Sequence, residues 1–266
     1  MKFAFFFFLF SYSTFALSQS SRLPLHVSIN PWPPWIMKNQ NEEWEGIAVD
    51  SMRLISICSN VPIKFINTIN TKRTLHEWGK SVFSETAVAE VWRNSQSSSS
   101  VYTNSTFNTT DIILARKEMK EIESYKGLQG YTVGIINGYI YPGFNEAINN
   151  GDIKTSKSVS SALFPKLIRG RVDAIFANNE EALYYFSRYE NNIEAIKDYK
   201  IIYRFEPVAL KIRLHKDKSS LVPIFNNIID QLKIQGYLQK IQNYYLTPDK
   251  GNAVKPNLEV CPLKNM

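Results

Sequence analysis

Leu25-His26-Val27-Ser28-Ile29 alternates apolar and polar positions, the period-two signature of a strand with one face in a core. It runs into Asn30-Pro31-Trp32-Pro33-Pro34-Trp35, where three prolines remove amide donors and fix φ, which predicts a stiff aromatic loop. Gly46-Ile47-Ala48-Val49-Asp50 leads into a helix over 51–58, with Met52, Ile55 and Cys58 at helical spacing. Pro62 to Ile66 reads as a second strand, Leu75, Trp78 and Val82 as a short helix, and Thr86 to Val91 as a third strand. Asn94 to Thr110 is rich in Ser, Thr and Asn, with Val101-Tyr102 and Phe107 embedded, and is expected to be an ordered crossing to a second α/β block.

That block repeats the grammar of the first. Asp111 to Arg116 and Tyr131 to Ile136 are strands, Asn137-Gly138 a turn, and Tyr139 to Asn149 an expected helix. Leu163, Leu167 and Ile168 mark a helix over 160–168, broken at Gly170-Arg171, before the strand Val172 to Ala177 and a helix over 180–189. From Tyr203 the chain is extended through Ile212. A long helix follows with Leu221, Ile224, Phe225, Ile228, Ile229 and Leu232 on one face, and after Gly236 a last helix covers Tyr237 to Tyr245. Beyond Pro248 no periodicity remains, and the tail is expected to be extended unless Cys261 pins it.

The N-terminus changes the picture of where such a chain works. Lys2, the apolar run Phe3 to Phe10, and Ala16-Leu17-Ser18 make up a secretory signal peptide with a cut after Ser18. The run is far shorter than the roughly 20 apolar residues of a membrane helix; an uncleaved anchor is the alternative. No Cys lies near the cut, so lipid attachment is not expected, and the mature protein is expected to be soluble in the periplasm. The formal charge of +7 falls to +6 once Lys2 is removed, and its Lys and Arg are dispersed among acids, which argues against a nucleic-acid partner. Cys58 and Cys261 permit one bridge in an oxidising compartment; the alternative is a buried Cys58 with a reduced Cys261. His26, His76 and His215 are far apart and no CxxC occurs, so neither a metal nor another cofactor is expected.

Four phrases in order carry a family resemblance: Lys126-Gly127-Leu128 with Val133-Gly134-Ile135, Gly170-Arg171-Val172-Asp173-Ala174, Gly236-Tyr237, and Tyr244-Tyr245-Leu246. With the element order, they resemble the periplasmic amino-acid-binding proteins, bacterial extracellular solute-binding proteins of family 3. The resemblance spans about Leu25 to Tyr245 and implies an α/β, two-lobed type II periplasmic-binding-protein fold, its lobes joined by two crossing strands. The implied division is a signal peptide over 1–18, lobe one over 19–104 and 207–247, lobe two over 105–206, and a tail over 248–266.

The resemblance also implies a site between the lobes. Trp32 takes the place of an aromatic residue that stacks on the ligand, the alternative being that Trp32 and Trp35 plug the lobe core. Arg93 matches the Arg that forks onto a ligand carboxylate, although its spacing to Tyr102-Thr103 is a few residues long, as a surface cation would allow. Asn137-Gly138-Tyr139 stands where a Gly turn opens a helix and offers free backbone N–H groups, with Tyr139 departing from the usual small hydroxyl residue. Asn178 replaces an Asp that neutralises the ligand's ammonium; neighbouring Glu180 is a source of the missing carboxylate, and a helix cap is the other reading of Asn178.

The function implied is capture of a small polar, carboxylate-bearing solute by lobe closure, by a monomer that hands it to an ABC-type permease or a sensor receptor. An enzyme on the same fold is the rival. At this length no appended catalytic domain is expected, and Glu90 and Glu180 are the only acids expected at the cleft for acid–base work, so no catalytic residue is assigned.

Overall fold

The computed structural model describes residues 23–137, 139–188, 197–247 and 254–263; the signal peptide read at 1–18 lies outside them. Two five-stranded sheets organise the chain. The first contains β1 (Leu25–Ile29), β4 (Ile63–Asn67), β5 (Ser84–Val88), β6 (Ser100–Thr109) and β12 (Val208–His215), in the order β4-β1-β5-β12-β6. The second contains β7 (Asp111–Arg116), β8 (Thr132–Ile136), β9 (Lys154–Ser158), β10 (Ala174–Asn178) and β11 (Tyr199–Arg204), in the order β11-β7-β10-β8-β9. In each, parallel strands meet an antiparallel pair: β4, β1 and β5 against β12 and β6, and β9, β8 and β10 against β7 and β11. Met37–Lys38 (β2) and Trp44–Glu45 (β3) form a small separate ribbon.

Seven helices among the described residues cover these sheets: α1 (Ile47–Ser59), α2 (Thr71–Glu77), α3 (Asn145–Asn150), α4 (Ser160–Ile168), α5 (Asn179–Arg188), α6 (Leu221–Ile234) and α7 (Tyr237–Leu246). In α1 the apolar stripe of Ile47, Met52, Leu54 and Ile55 is buried, and Asn60 ends the helix in the left-handed conformation. Phe225, Ile228, Ile229 and Leu232 of α6 enter the same core, as the periodicity predicts. Gly46 is required where the loop meets α1: its φ is 127°, and a Cβ there would lie 2.5 Å from the Trp35 carbonyl oxygen. Among the described residues no helix is long and apolar enough to cross a membrane.

Several elements differ from expectation. The polar stretch after Asn94 is not a crossing: a 3-10 segment, Glu90–Ser99, leads into the ten-residue strand β6. Its threonines are good strand formers, and Thr103 and Thr106 are buried with their hydroxyls satisfied. Ile212 N donates to Thr103 Oγ1 at 3.1 Å, and Thr106 Oγ1 to Leu210 O at 3.1 Å. The first sheet therefore keeps residues 105–109, expected in lobe two, and the chain leaves it at Thr110; the return crossing covers Phe205 to Pro207. The helix expected over 139–149 shrinks to α3, because Pro142 and the left-handed Gly143 interrupt it. Trp78 and Val82 do not extend α2, which ends before Gly79 with its φ of 75°. β9, Lys-Thr-Ser-Lys-Ser, has no apolar alternation to reveal it and pairs only with β8 at the sheet edge.

The tail returns to the first lobe. Cys58 of α1 and Cys261 are joined by a disulfide across 203 residues of sequence, and Leu263 is buried in the first core. Lys255 reaches Asp50 at 3.0 Å and Glu45 at 3.3 Å.

Candidate functional site

A cavity of about 200 Å³ lies between the two sheets and is walled by both. From the first come Asn30, Trp32, Ile36, Glu85, Ala87, Trp92 and Arg93; from the second, Asp111, Tyr139, Tyr141, Phe176, Asn178 and Glu181. Strand ends position most of these, as expected for clefts in open α/β sheets.

On the first lobe, Trp32 stacks on Trp35 at 5.4 Å between ring centroids and meets Trp92 edge-on at 6.0 Å. Trp32 faces the cavity, whereas Trp35 is wholly buried. Asn30 is held by a hydroxyl cluster: Thr68 Oγ1 donates to Asn30 Oδ1 at 2.8 Å, and Ser28 lies within 2.9 Å of both Thr68 and Thr74. Ala87, on the cavity wall, adopts a φ of 55°, a conformation that L residues adopt at a cost and that is found at binding clefts.

The charge centre of this lobe is a buried triad. Arg93 forks onto Glu85 through Nε at 3.1 Å and Nη2 at 2.9 Å, and its Nη1 donates to Trp92 O at 3.1 Å. Arg213, fully buried and 3.6 Å from the Trp78 ring centroid, donates to the same carboxylate at 2.6 Å and to Gln96 and Ser100. Burial opposes ionisation of Glu85, but the two guanidinium groups outweigh it and hold the carboxyl below its ordinary value. Two cations against one anion leave a net charge of +1. A guanidinium has five donors, of which three are used on Arg93, so two remain for an acceptor in the cavity.

The second lobe presents carboxyls. Asp111 opens β7 beside the crossing, and burial pushes its carboxyl from 3.8 to about 6, against a hydrogen bond from Asn178 and with help from the charge of Glu180. Glu181 in the first turn of α5 is pushed by burial from 4.5 to about 7, although the Ser160 hydroxyl donates to it. Asn178 is a junction of both lobes: Trp35 Nε1 donates to its Oδ1 at 3.1 Å, and its Nδ2 donates to Thr109 at 2.6 Å and Asp111 at 3.3 Å.

Of the residues singled out in the sequence, the fold brings Trp32, Arg93, Tyr139 and Asn178 to the cavity wall. Glu90 stands outside, paired with Lys211. Glu180 is buried behind the wall and accepts from Thr109 Oγ1 at 2.5 Å. Asn137 is exposed, and Gly138 lies outside the described residues. The turn at 137–139 does not open a helix, since α3 begins only at Asn145; the amide of Tyr139 bonds instead to Ile136 O at 3.3 Å. Glu85, Asp111, Glu181 and Arg213 were not singled out. Their common signal is a charge inside or beside an apolar segment, which a buried strand or helix start tolerates only with a partner.

Comparison with known proteins places this geometry. The chain superposes on an ancestral arginine-binding protein bound to arginine with a TM-score of 0.69 and 21% identity, covering 84% of this chain and 98% of that one. An arginine transport-system periplasmic binding protein from Legionella pneumophila gives 0.66 and 15% over 84% and 100%. A histidine kinase sensor domain similar to periplasmic binding proteins gives 0.69 and 14% over 88% and 98%. At these identities the likeness establishes a common fold. No curated protein matches the sequence. Residues 25–248 match the family described as bacterial extracellular solute-binding proteins, family 3, and with most of the chain covered, this protein belongs to that family.

Proposed function

We propose that the protein captures a small amphoteric solute, an amino acid or a close relative, between its lobes. The observation that carries this reading is the polarity of the cavity. The first-lobe wall has a net cation with two unused Arg93 donors, and the second-lobe wall has carboxyls, across about 200 Å³ flanked by the Trp32 ring. A ligand carboxylate meets Arg93 end-on, because Glu85 already holds the side-on fork. Arg93 is then fixed by Glu85 before the ligand arrives, which lowers the ordering cost of binding. Proteins of this fold described as bound to arginine, glutamine or L-glutamate support the ligand class.

Closure follows as a population shift: a ligand that touches both walls favours the closed form by its differential contacts. The exported monomer then presents the closed shape to a membrane permease. Delivery to a receptor is the second reading, supported by the likeness to a histidine kinase sensor domain. Neither needs a catalytic group, and Glu90, paired with Lys211 outside the cavity, is poorly placed for one.

The test is a thermal-shift screen against amino acids, dicarboxylates, short peptides and polyamines. A cleft ligand at 100 times its Kd adds about 2.7 kcal/mol to stability, about 5 to 10 °C in Tm for a chain of this size. The expected result is a shift from an amino acid that Arg93→Ala removes. A shift that survives Arg93→Ala unchanged would place the carboxylate elsewhere.

A further inference from the structure

The second-lobe wall has an unbalanced charge. Asp111 and Glu181 both line the cavity, Glu181 is only 4% exposed, and Glu180 lies buried behind them. Among the described residues, none of the three forms an ion pair; their side-chain partners are the neutral Asn178, Asn179, Ser160 and Thr109. A buried carboxylate without a cation is among the costliest arrangements in a protein. The upward displacement of both carboxyls, to about 6 and about 7, reflects that cost. Residue 178 cannot relieve it. Its amide is neutral, its oxygen accepts from Trp35, and its nitrogen donates to Thr109 and Asp111.

We infer that Asp111 and Glu181 together form the subsite for an ammonium group of the ligand, in place of residue 178. The inference rests on the solute-binding reading and specifies its cationic end. The pair is surrounded by Tyr139 and Tyr141 from the segment after β8, by Glu180 from α5 and by Ser160 from α4. The first-lobe cation acting on this wall is Arg93, felt at Tyr139. An ammonium seated between the two carboxyls is therefore the charge that completes the wall.

A proton linkage follows. In the ligand-free protein both carboxyls keep protons that the unfolded chain has shed between about pH 4 and 7, so their contribution to stability falls as pH rises across that window. A bound ammonium favours the ionised carboxyls, so binding expels protons and affinity rises with pH through about 6 to 7.

The experiment uses matched pairs, L-glutamate with glutarate and L-norvaline with valerate, alongside the remaining amino acids. Thermal shift and calorimetry are run at pH 5.5 and 8 on the unmodified protein, Asp111→Asn and Glu181→Gln. The expected result is that the amines bind better than the matched acids, more tightly at pH 8. Each amide variant should lose about tenfold or more in affinity for an amine. Without ligand at pH 8, both variants should melt at or above the temperature of the unmodified protein. Amine and acid binding alike, with affinity untouched by the variants, would overturn the inference and leave the solute-binding reading standing. Ligand-free variants that melt lower would show that the carboxylates are satisfied within the fold, and would also overturn it. No binding by any compound would remove the solute-binding reading, and this inference with it.

Discussion

Glu85→Gln is expected to lower stability by about 3 to 5 kcal/mol, the range for breaking a buried ion pair from one side, or about 10 °C in Tm. Glu85 is 3% exposed and Arg213 fully buried, so the variant leaves two guanidinium groups in the core with an amide that brings no charge. It also frees the side-on fork of Arg93, which then lacks its support at the cavity. Amino-acid binding should weaken even in molecules that remain folded. Because the triad is shielded from solvent, the loss should be nearly independent of salt between low and physiological ionic strength. Pairing Glu85→Gln with Arg213→Met should recover part of the stability, since an apolar chain of similar length suits that site better than an unpaired cation. Urea denaturation gives both quantities. A loss below about 1 kcal/mol would mean that the triad is hydrated and structurally minor.

Removing the disulfide, as Cys58→Ser with Cys261→Ser, is expected to cost about 2 to 5 kcal/mol. The bridge closes a loop of 203 residues, so in the chain-entropy account it restricts the unfolded ensemble strongly. It also pins the segment around Cys261 to α1. Lys255 then holds Asp50 and Glu45, Tyr245 donates its hydroxyl to Asp50, and Leu263 stays in the core. The variant should show early amide exchange and proteolysis over 254–263 while the two sheets stay protected. Equal denaturation midpoints with and without reductant would contradict this account.

How much of this was legible depended on whether a segment announces its burial. β7 stands where the apolar run Asp111 to Arg116 placed it, because it is buried in the sheet and its pattern is nearly continuous, and α4 stands over 160–168 because Leu163 and Leu167 recur at helical spacing on its buried face. β6 was hidden because its inward positions include threonines, whose hydroxyls find backbone partners only once β12, about a hundred residues later, lies beside it. β9 was hidden because an edge strand buries little.

The site divides in the same way. Trp32, Arg93, Tyr139 and Asn178 could be located because a resemblance supplied their context and the fold carries them to one cavity. Arg93's partner could not, since Glu85 lies eight residues earlier within a strand that reads as featureless, and Arg213 joins them from 128 residues away. Asp111 reads as a strand start and Glu181 as part of the first turn of the helix expected over 180–189. Their proximity to a cavity is a property of the two sheets facing each other.

The most direct measurement of the central claim is a tryptophan-fluorescence titration with each proteinogenic amino acid, because Trp32 and Trp92 line the cavity and the buried Trp35 is bonded to Asn178 of its wall. The account predicts a saturable, one-to-one change for at least one amino acid, abolished by Arg93→Ala in a variant whose far-UV spectrum is unchanged. A folded protein whose emission responds to none of them, at millimolar concentration and pH 8, would contradict it.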